Sequence, residues 1–279
     1  MSADDAAARV GQVFDELAED YDQSGVVFFA PIATGLVDLL ELTPGERVVD
    51  VGCGRGAVTL PAAAAVGPAG SVTAVDISSA MVALTRRRAA ELGLAQVRTE
   101  VVGPDDLGLP EGSADVVASS LVLFFAPDPL ATLGCWMRPL APGGRIGIST
   151  FGEADETWTQ VDRLFDPYLP PALLDARTSG STGVFSSDEG VEEAFAQVGA
   201  VDVRTERRRL PVHFADAAAW RRFSMSTGQR AFWRFVPEDR REPLFAAAAE
   251  VLEQARTDAG DLVVVQDVRY TLGRRASEV

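Results

Sequence analysis

The chain has 279 residues, 47% of them hydrophobic and 24% charged, a composition that excludes wholesale disorder. Its 41 acidic and 25 basic residues give a net charge of −16, which disfavours phosphate backbones and anionic membrane surfaces as partners. No apolar run approaches the roughly 18 residues of a membrane span. The first residues are acidic and alanine-rich without a secretory pattern, so a cytoplasmic location is the expectation. Every basic residue is arginine; lysine and asparagine are missing, which suggests a high-GC genome and excludes lysine Schiff-base and P-loop lysine chemistry. Two cysteines, Cys53 and Cys135, cannot build a disulfide framework or a cysteine-based zinc site. No histidine–carboxylate cluster has ligand spacing, so no metal is expected.

The first 20 residues suit a helix with Val10, Val13, Phe14 and Leu17 on one face, and residues 32–40 repeat that pattern. Residues 47–51, a short apolar run ending in glycines, read as a buried strand. Similar runs follow at 71–75, 97–102, 115–119, 145–150 and 201–204, with helical patterns at 78–92 and 129–140. This alternation predicts a parallel sheet covered on both faces. A final strand is expected at 262–272. Residues 151–183 and 211–260 are too long for plain connections and read as a lid over the site.

The strongest motif is Asp50-Val51-Gly52-Cys53-Gly54-Arg55-Gly56, at a strand-to-helix turn. Glycines there let the backbone approach a ligand, and the helix start offers free N–H groups. Gly52, Gly54 and Ala57 also satisfy the dinucleotide-binding pattern. Asp76 ends the second strand, where a carboxylate can accept both hydrogens of a ribose diol. An NAD-dependent oxidoreductase shares that device. Three features favour a different ligand: Asp50 inside the first strand suits a cation rather than a pyrophosphate, some forty residues precede the loop, and Pro142-Gly143-Gly144 forms a long turn before the fifth strand.

On these residues the chain resembles class I S-adenosylmethionine (SAM) dependent methyltransferases, of the ubiquinone/menaquinone-methyltransferase-like group and the small-molecule, natural-product type. The resemblance covers about residues 13–151, through the 50–56 loop, the Asp76 strand end, the strand start at Ser113-Ala114-Asp115 and the Pro142-Gly143-Gly144 turn. It implies an α/β fold: a Rossmann-like doubly wound sheet, mostly parallel with an antiparallel last strand, N-terminal helices and a helical lid. The implied organisation is a helical cover at 1–44, a SAM-binding core at 45–151, a lid insertion at 152–183, core again at 184–210, a helical lid at 211–260 and a last core strand at 261–279. Asp50, Gly52, Cys53, Gly54 and Gly56 would cradle the methionine part of SAM. Asp76 would hold the ribose, with Ile77 against the adenine and Met81 nearby. The family's Gly-Asp-Ala motif reads Gly103-Pro104-Asp105-Asp106 here, so Asp105, with Asp106 in reserve, takes the adenine contact. Ser119 and Ser120 would line the floor toward the acceptor. Tyr21 would fold over SAM.

Methyl transfer to oxygen usually needs a base. His213, the only histidine, is the natural candidate near neutral pH, with Tyr21 beside it as a second catalytic candidate. Phe124, Phe125, Trp158, Phe165, Tyr168, Trp220, Phe223 and Trp233 could form an apolar pocket for a small-molecule acceptor. The Asn/Asp-Pro-Pro-aromatic motif of nucleic-acid base methyltransferases is replaced by Ser119-Ser120-Leu121-Val122. The expected activity is C- or O-methylation of a small, largely apolar metabolite. The alternative is a SAM-binding relative that does not transfer the methyl group.

Overall fold

In a computed structural model of the chain, residues 3–171 and 183–277 are described, so 172–182 of the expected lid insertion lie outside them. Seven strands form one sheet: β1 (Arg47–Val51), β2 (Ser71–Asp76), β3 (Val97–Val101), β4 (Ala114–Ser120), β5 (Leu140–Ala154), β6 (Ala200–Phe214) and β7 (Leu262–Arg275). Their order is β3-β2-β1-β4-β5-β7-β6. Neighbours from β3 to β5 pair in parallel, while β7 runs antiparallel to both β5 and β6. The order reverses direction between β1 and β4. In open α/β sheets that switch point leaves a crevice beyond the carboxyl ends of the strands.

The strands β1 and β4 are buried on both faces, so their sequences show no alternation of apolar and polar residues. Helices α1 (Ala3–Leu17), α2 (Phe29–Leu40), α3 (Thr59–Val66), α4 (Ser79–Glu91) and α5 (Pro129–Met137) surround this half of the sheet. The approach of α2 is close because two glycines permit it. A Cβ on Gly35 would fall 2.6 Å from the Tyr270 hydroxyl, and one on Gly147 would fall 2.9 Å from Leu40. That hydroxyl donates to the Ile32 carbonyl at 3.1 Å, which locks α2 to β7.

Beyond β5 come α6 (Glu156–Arg163) and α7 (Asp188–Gln197). Arg269, 2% exposed on β7, gathers both ends of the intervening segment. Its guanidinium meets Asp188 at 2.6 Å and donates to the carbonyls of Phe151 (3.2 Å) and Phe185 (3.0 Å). A helical cap follows β6: α8 (Ala217–Met225), α9 (Arg230–Phe235) and α10 (Glu238–Leu252). Its apolar residues, Trp220, Phe223, Trp233 and Leu244 among them, belong to the same core cluster as α2 and the sheet. The cap is therefore packed as part of the body.

Two strands run past the sequence expectation: β5 spans Leu140–Ala154, taking in the expected turn at Pro142-Gly143-Gly144 and the start of the expected lid insertion, and β6 is extended further still. The strand β6 runs through Phe214, pairing Pro211–His213 with Val265–Val263, so the helical segment starts only at Ala217. Leu210, Val212 and Phe214 alternate with Arg209, Pro211 and His213, the period of a strand.

Gly35→Ala is expected to cost about 1–3 kcal/mol through overpacking. At this size that lowers the melting temperature by about 2–5 °C. An unchanged melting curve would contradict the close approach of α2 to Tyr270.

Candidate active site

A cavity of about 930 Å³, part of it open to solvent, lies at the carboxyl ends of β1, β2 and β4, where Val51, Asp76 and Ser120 reach it. Its base is the 52–56 loop. The amides of Gly52 and Cys53 both donate to the Val75 carbonyl, at 2.8 and 2.9 Å, which binds the loop to the end of β2. Gly52 has φ +73°, and a Cβ there would collide with Val122. Gly54 has φ +51° with open space where a Cβ would be, so a ligand can lie directly on its backbone.

Asp76 organises this loop. One carboxylate oxygen accepts from the Gly54 amide at 2.8 Å and the other from the Ser78 amide at 2.9 Å. A carboxylate has about four acceptor sites, so each oxygen can still take one hydroxyl of a diol. Burial pushes the Asp76 carboxyl up, against the two amides that pull it down. Ile77 and Met81 line the cavity beside it. Asp105 lines it too, held by the Thr132 hydroxyl, while Trp136 Nε1 donates to the Pro104 carbonyl at 2.9 Å. Asp106 instead accepts from the Gly108 amide in its own turn and does not reach the cavity.

Three other expected cofactor contacts, Asp50, Cys53 and Gly56, do not line the cavity. Asp50 is buried, accepts from the Thr59 hydroxyl at 2.5 Å and is pushed up to about 7 by burial. Cys53 is buried, and burial raises its thiol well above the ordinary value, so it is chemically quiet. Gly56 packs against Leu60 and Thr85. Of the two serines after β4, Ser119 is buried and donates to the Val51 carbonyl, whereas Ser120 faces the cavity and pairs with Ser149 at 2.8 Å.

The N-terminal helix closes the site. Asp15 accepts from the Ser78 hydroxyl at 2.6 Å and the Ala80 amide at 3.0 Å, docking α1 on the start of α4. Arg55, within the glycine loop, donates to the carbonyls of Ala18 (2.6 Å) and Glu19 (3.2 Å). This clasp brings Val10, Phe14 and Tyr21 to the cavity wall. Tyr21 stacks near Phe29 at 4.9 Å, and Phe14 meets Tyr21 at 5.8 Å and Phe125 at 5.6 Å, forming an aromatic mouth. Burial, with Asp22 and Asp76 nearby, pushes the Tyr21 phenol upward, so it stays protonated at neutral pH.

Most of the aromatic residues expected at the acceptor lie elsewhere. Trp220 and Phe223 are buried in the cap, and Trp158 stacks on Phe28 at 6.4 Å. Phe124 and Tyr168 pack on the same core. Of the eight aromatic residues named, Phe125 alone lines the cavity. His213 is remote as well: its side chain is 60% exposed on β6 and its Nδ1 lies 2.6 Å from Asp261. The sequence reading missed Val10, Phe29, Leu121 and Val122 as wall residues. The apolar face of α1 was visible, but its destination depends on the Arg55 clasp. Among the described residues no group of histidine, cysteine and carboxylate side chains could hold a metal, and no helix is long and apolar enough to cross a membrane.

Comparison with known proteins agrees with this geometry. The family described as a methyltransferase domain matches residues 48–144. Over 274 residues the chain is 36% identical to the nocamycin O-methyltransferase of Saccharothrix syringae, covering 94% of this chain and 97% of that protein. It is 38% identical over 167 residues to an aklanonic acid methyltransferase of Streptomyces sp. (strain C5), covering 60% of this chain and 76% of that protein. The YcgJ protein of Bacillus subtilis shares the fold, with a TM-score of 0.58 and 17% identity over 89% of this chain and 99% of that one.

Asp76→Ala is expected to weaken S-adenosylhomocysteine binding by about 1.5–3 kcal/mol, roughly 10- to 150-fold by calorimetry. A dissociation constant within twofold of wild type would refute the ribose assignment. Asp50 carries a raised carboxyl in the fold, so its stabilising contribution is full below its unfolded value near 4 and is lost as pH rises toward 7. Asp50→Asn should therefore gain melting temperature over that window, reaching about 5 °C above wild type at pH 7.5. Equal gains at pH 4 and pH 7.5 would contradict the buried carboxyl.

Proposed function

This chain belongs to the class I SAM-dependent methyltransferases, and we propose that its acceptor is a small, largely apolar metabolite of natural-product biosynthesis, methylated on oxygen. The observation that carries the acceptor class is the mouth of Phe14, Tyr21, Phe29 and Phe125, which opens off the cofactor end of the same cavity. Such walls bind flat or polycyclic apolar ligands. The full-length likeness to nocamycin O-methyltransferase supports oxygen over carbon as the methylated atom.

The residues present fit SAM. Gly54 offers bare backbone, Asp76 retains acceptor capacity for a ribose diol, and Ile77 and Met81 flank it with apolar surface. Asp105 stands across the cavity for the adenine. Bound SAM supplies a methyl group already activated on a sulfonium. The chain's own work is to orient the acceptor and exclude water. The clasp of Arg55 on Ala18 and Glu19 holds the α1 wall closed. Phe125, 45% exposed, and Tyr21 fix the plane of the acceptor at the mouth. Tyr21 keeps its proton and serves as a hydrogen-bond donor rather than as a base, so the acceptor is an acidic enol or phenol whose hydroxyl proton passes to water before the methyl group is transferred to its oxygen.

The test is formation of S-adenosylhomocysteine against a panel of aromatic, polyketide and terpenoid hydroxy compounds, aklanonic acid included. Turnover confined to apolar ring compounds is expected. For the compound turned over, Phe125→Ala should raise KM about 10-fold, the scale of a lost aromatic contact, without changing S-adenosylhomocysteine affinity. His213→Ala should leave both kcat and KM unchanged. A panel without turnover, or a large kcat loss in the His213 variant, would overturn this reading.

A further inference from the structure

Four non-glycine residues among those described adopt positive φ: Asp22 (+55°), Glu41 (+50°), Leu121 (+60°) and Asp202 (+52°). Ordinary chain geometry accounts for two of them. Glu41 is the left-handed C-cap of α2, and Asp202 sits where the register between β6 and β7 shifts. Asp22 is a residue type that tolerates this region. Leu121 is not, and a bulky side chain at positive φ is a true outlier. Such outliers persist only when the surroundings over-determine them, and they cluster at functional sites.

The surroundings of Leu121 do so from both sides. Upstream, its amide donates to the Ser149 carbonyl at 3.0 Å, and the neighbouring Ser120 hydroxyl pairs with Ser149 at 2.8 Å. These bonds extend the β4–β5 pairing one residue past the strand. Downstream, the Val122 side chain fills the space where Gly52 would carry a Cβ. The Phe125 amide then closes a turn on the Val122 carbonyl at 2.9 Å. In three residues the chain passes from contact with the glycine loop to contact with Phe14 at the mouth. Leu121 and Val122 both line the cavity between these two ends.

We propose that Leu121 is a positioning residue: its left-handed backbone holds Val122 against Gly52 and sets the wall between the cofactor end and the acceptor mouth before any ligand binds. The inference rests on the placement of SAM on the glycine loop. The strain is offset by the fixed turn it produces, so less ordering remains to be done when the cofactor enters. In-line methyl transfer tolerates little positional error, which is the use of a wall fixed in advance.

Two truncations separate strain from packing, because both remove the leucine side chain. Alanine at φ +60° keeps the steric strain and the restricted turn; glycine relieves the strain and frees the turn. The Leu121→Gly variant is expected to melt about 2–4 °C above Leu121→Ala. It is also expected to bind S-adenosylhomocysteine 3- to 10-fold more weakly by calorimetry. Stability and affinity moving in opposite directions is a signature that a merely structural residue does not give. Equal or tighter binding by the glycine variant, or a glycine variant no more stable than alanine, would overturn the proposal. A crystal structure of the wild-type complex with S-adenosylhomocysteine gives a check independent of variant folding: Leu121 should keep φ near +60°, and a shift to negative φ would also overturn it. Failure of the wild type itself to bind S-adenosylhomocysteine would instead remove the cofactor placement on which the inference stands.

Discussion

The hydrogen bond from the Gly54 amide to Asp76, 2.8 Å long, joins the two strand ends on which the site depends. It fixes the glycine loop after β1 to the acidic end of β2. The loop then exposes bare backbone, and the carboxylate stays at the cavity wall despite its burial. Burying a carboxylate is costly unless hydrogen bonds satisfy it, and here two backbone amides do so. The remaining acceptor capacity is what a ribose would use. One side chain thus shapes the loop and, in the proposed site, would also hold the ligand.

The rest of the molecule brings walls to that point. Arg55 projects from the same loop to hold the end of α1, so the proposed cofactor cradle and the contact with the N-terminal helix share a backbone segment. Ion pairs from α1 to the cap, Glu16 with Arg234 and Asp20 with Arg230, continue the closure outward. They are exposed, so each contributes little to stability. The cap is held by its shared core with α2 instead, where Trp220, Phe223 and Trp233 are buried. These aromatic residues serve packing, which leaves the smaller set at the cavity as the proposed acceptor wall.

Much of this was legible in the sequence, for definable reasons. The glycine loop and the strand-ending acid announce themselves because only certain residues fit a positive φ or a ribose diol. All seven strands stood out as apolar runs or alternations, though β6 was read short because its last residues carry arginine, proline and histidine on the outward side. Strands buried on both faces carry no alternation, so nothing in Ser119-Ser120 told which serine meets the cavity. Aromatic residues at helical spacing looked the same whether bound for a cap core or a pocket. The wall provided by α1 and the turn at Leu121 arise from tertiary contacts, and local sequence has no voice in them. His213 drew attention as the lone histidine, but its residue type carried no information about distance from the cavity.

The central claim is that the glycine loop, Asp76 and the aromatic mouth form one transfer site. A crystal structure with S-adenosylhomocysteine tests it most directly. Both ribose hydroxyls are expected within hydrogen-bond distance of the Asp76 carboxylate, with the amino-acid end on Gly52–Gly54 and the sulfur facing the Leu121–Phe125 wall. A ligand bound elsewhere, or one whose sulfur points away from Phe14, Tyr21, Phe29 and Phe125, would contradict it.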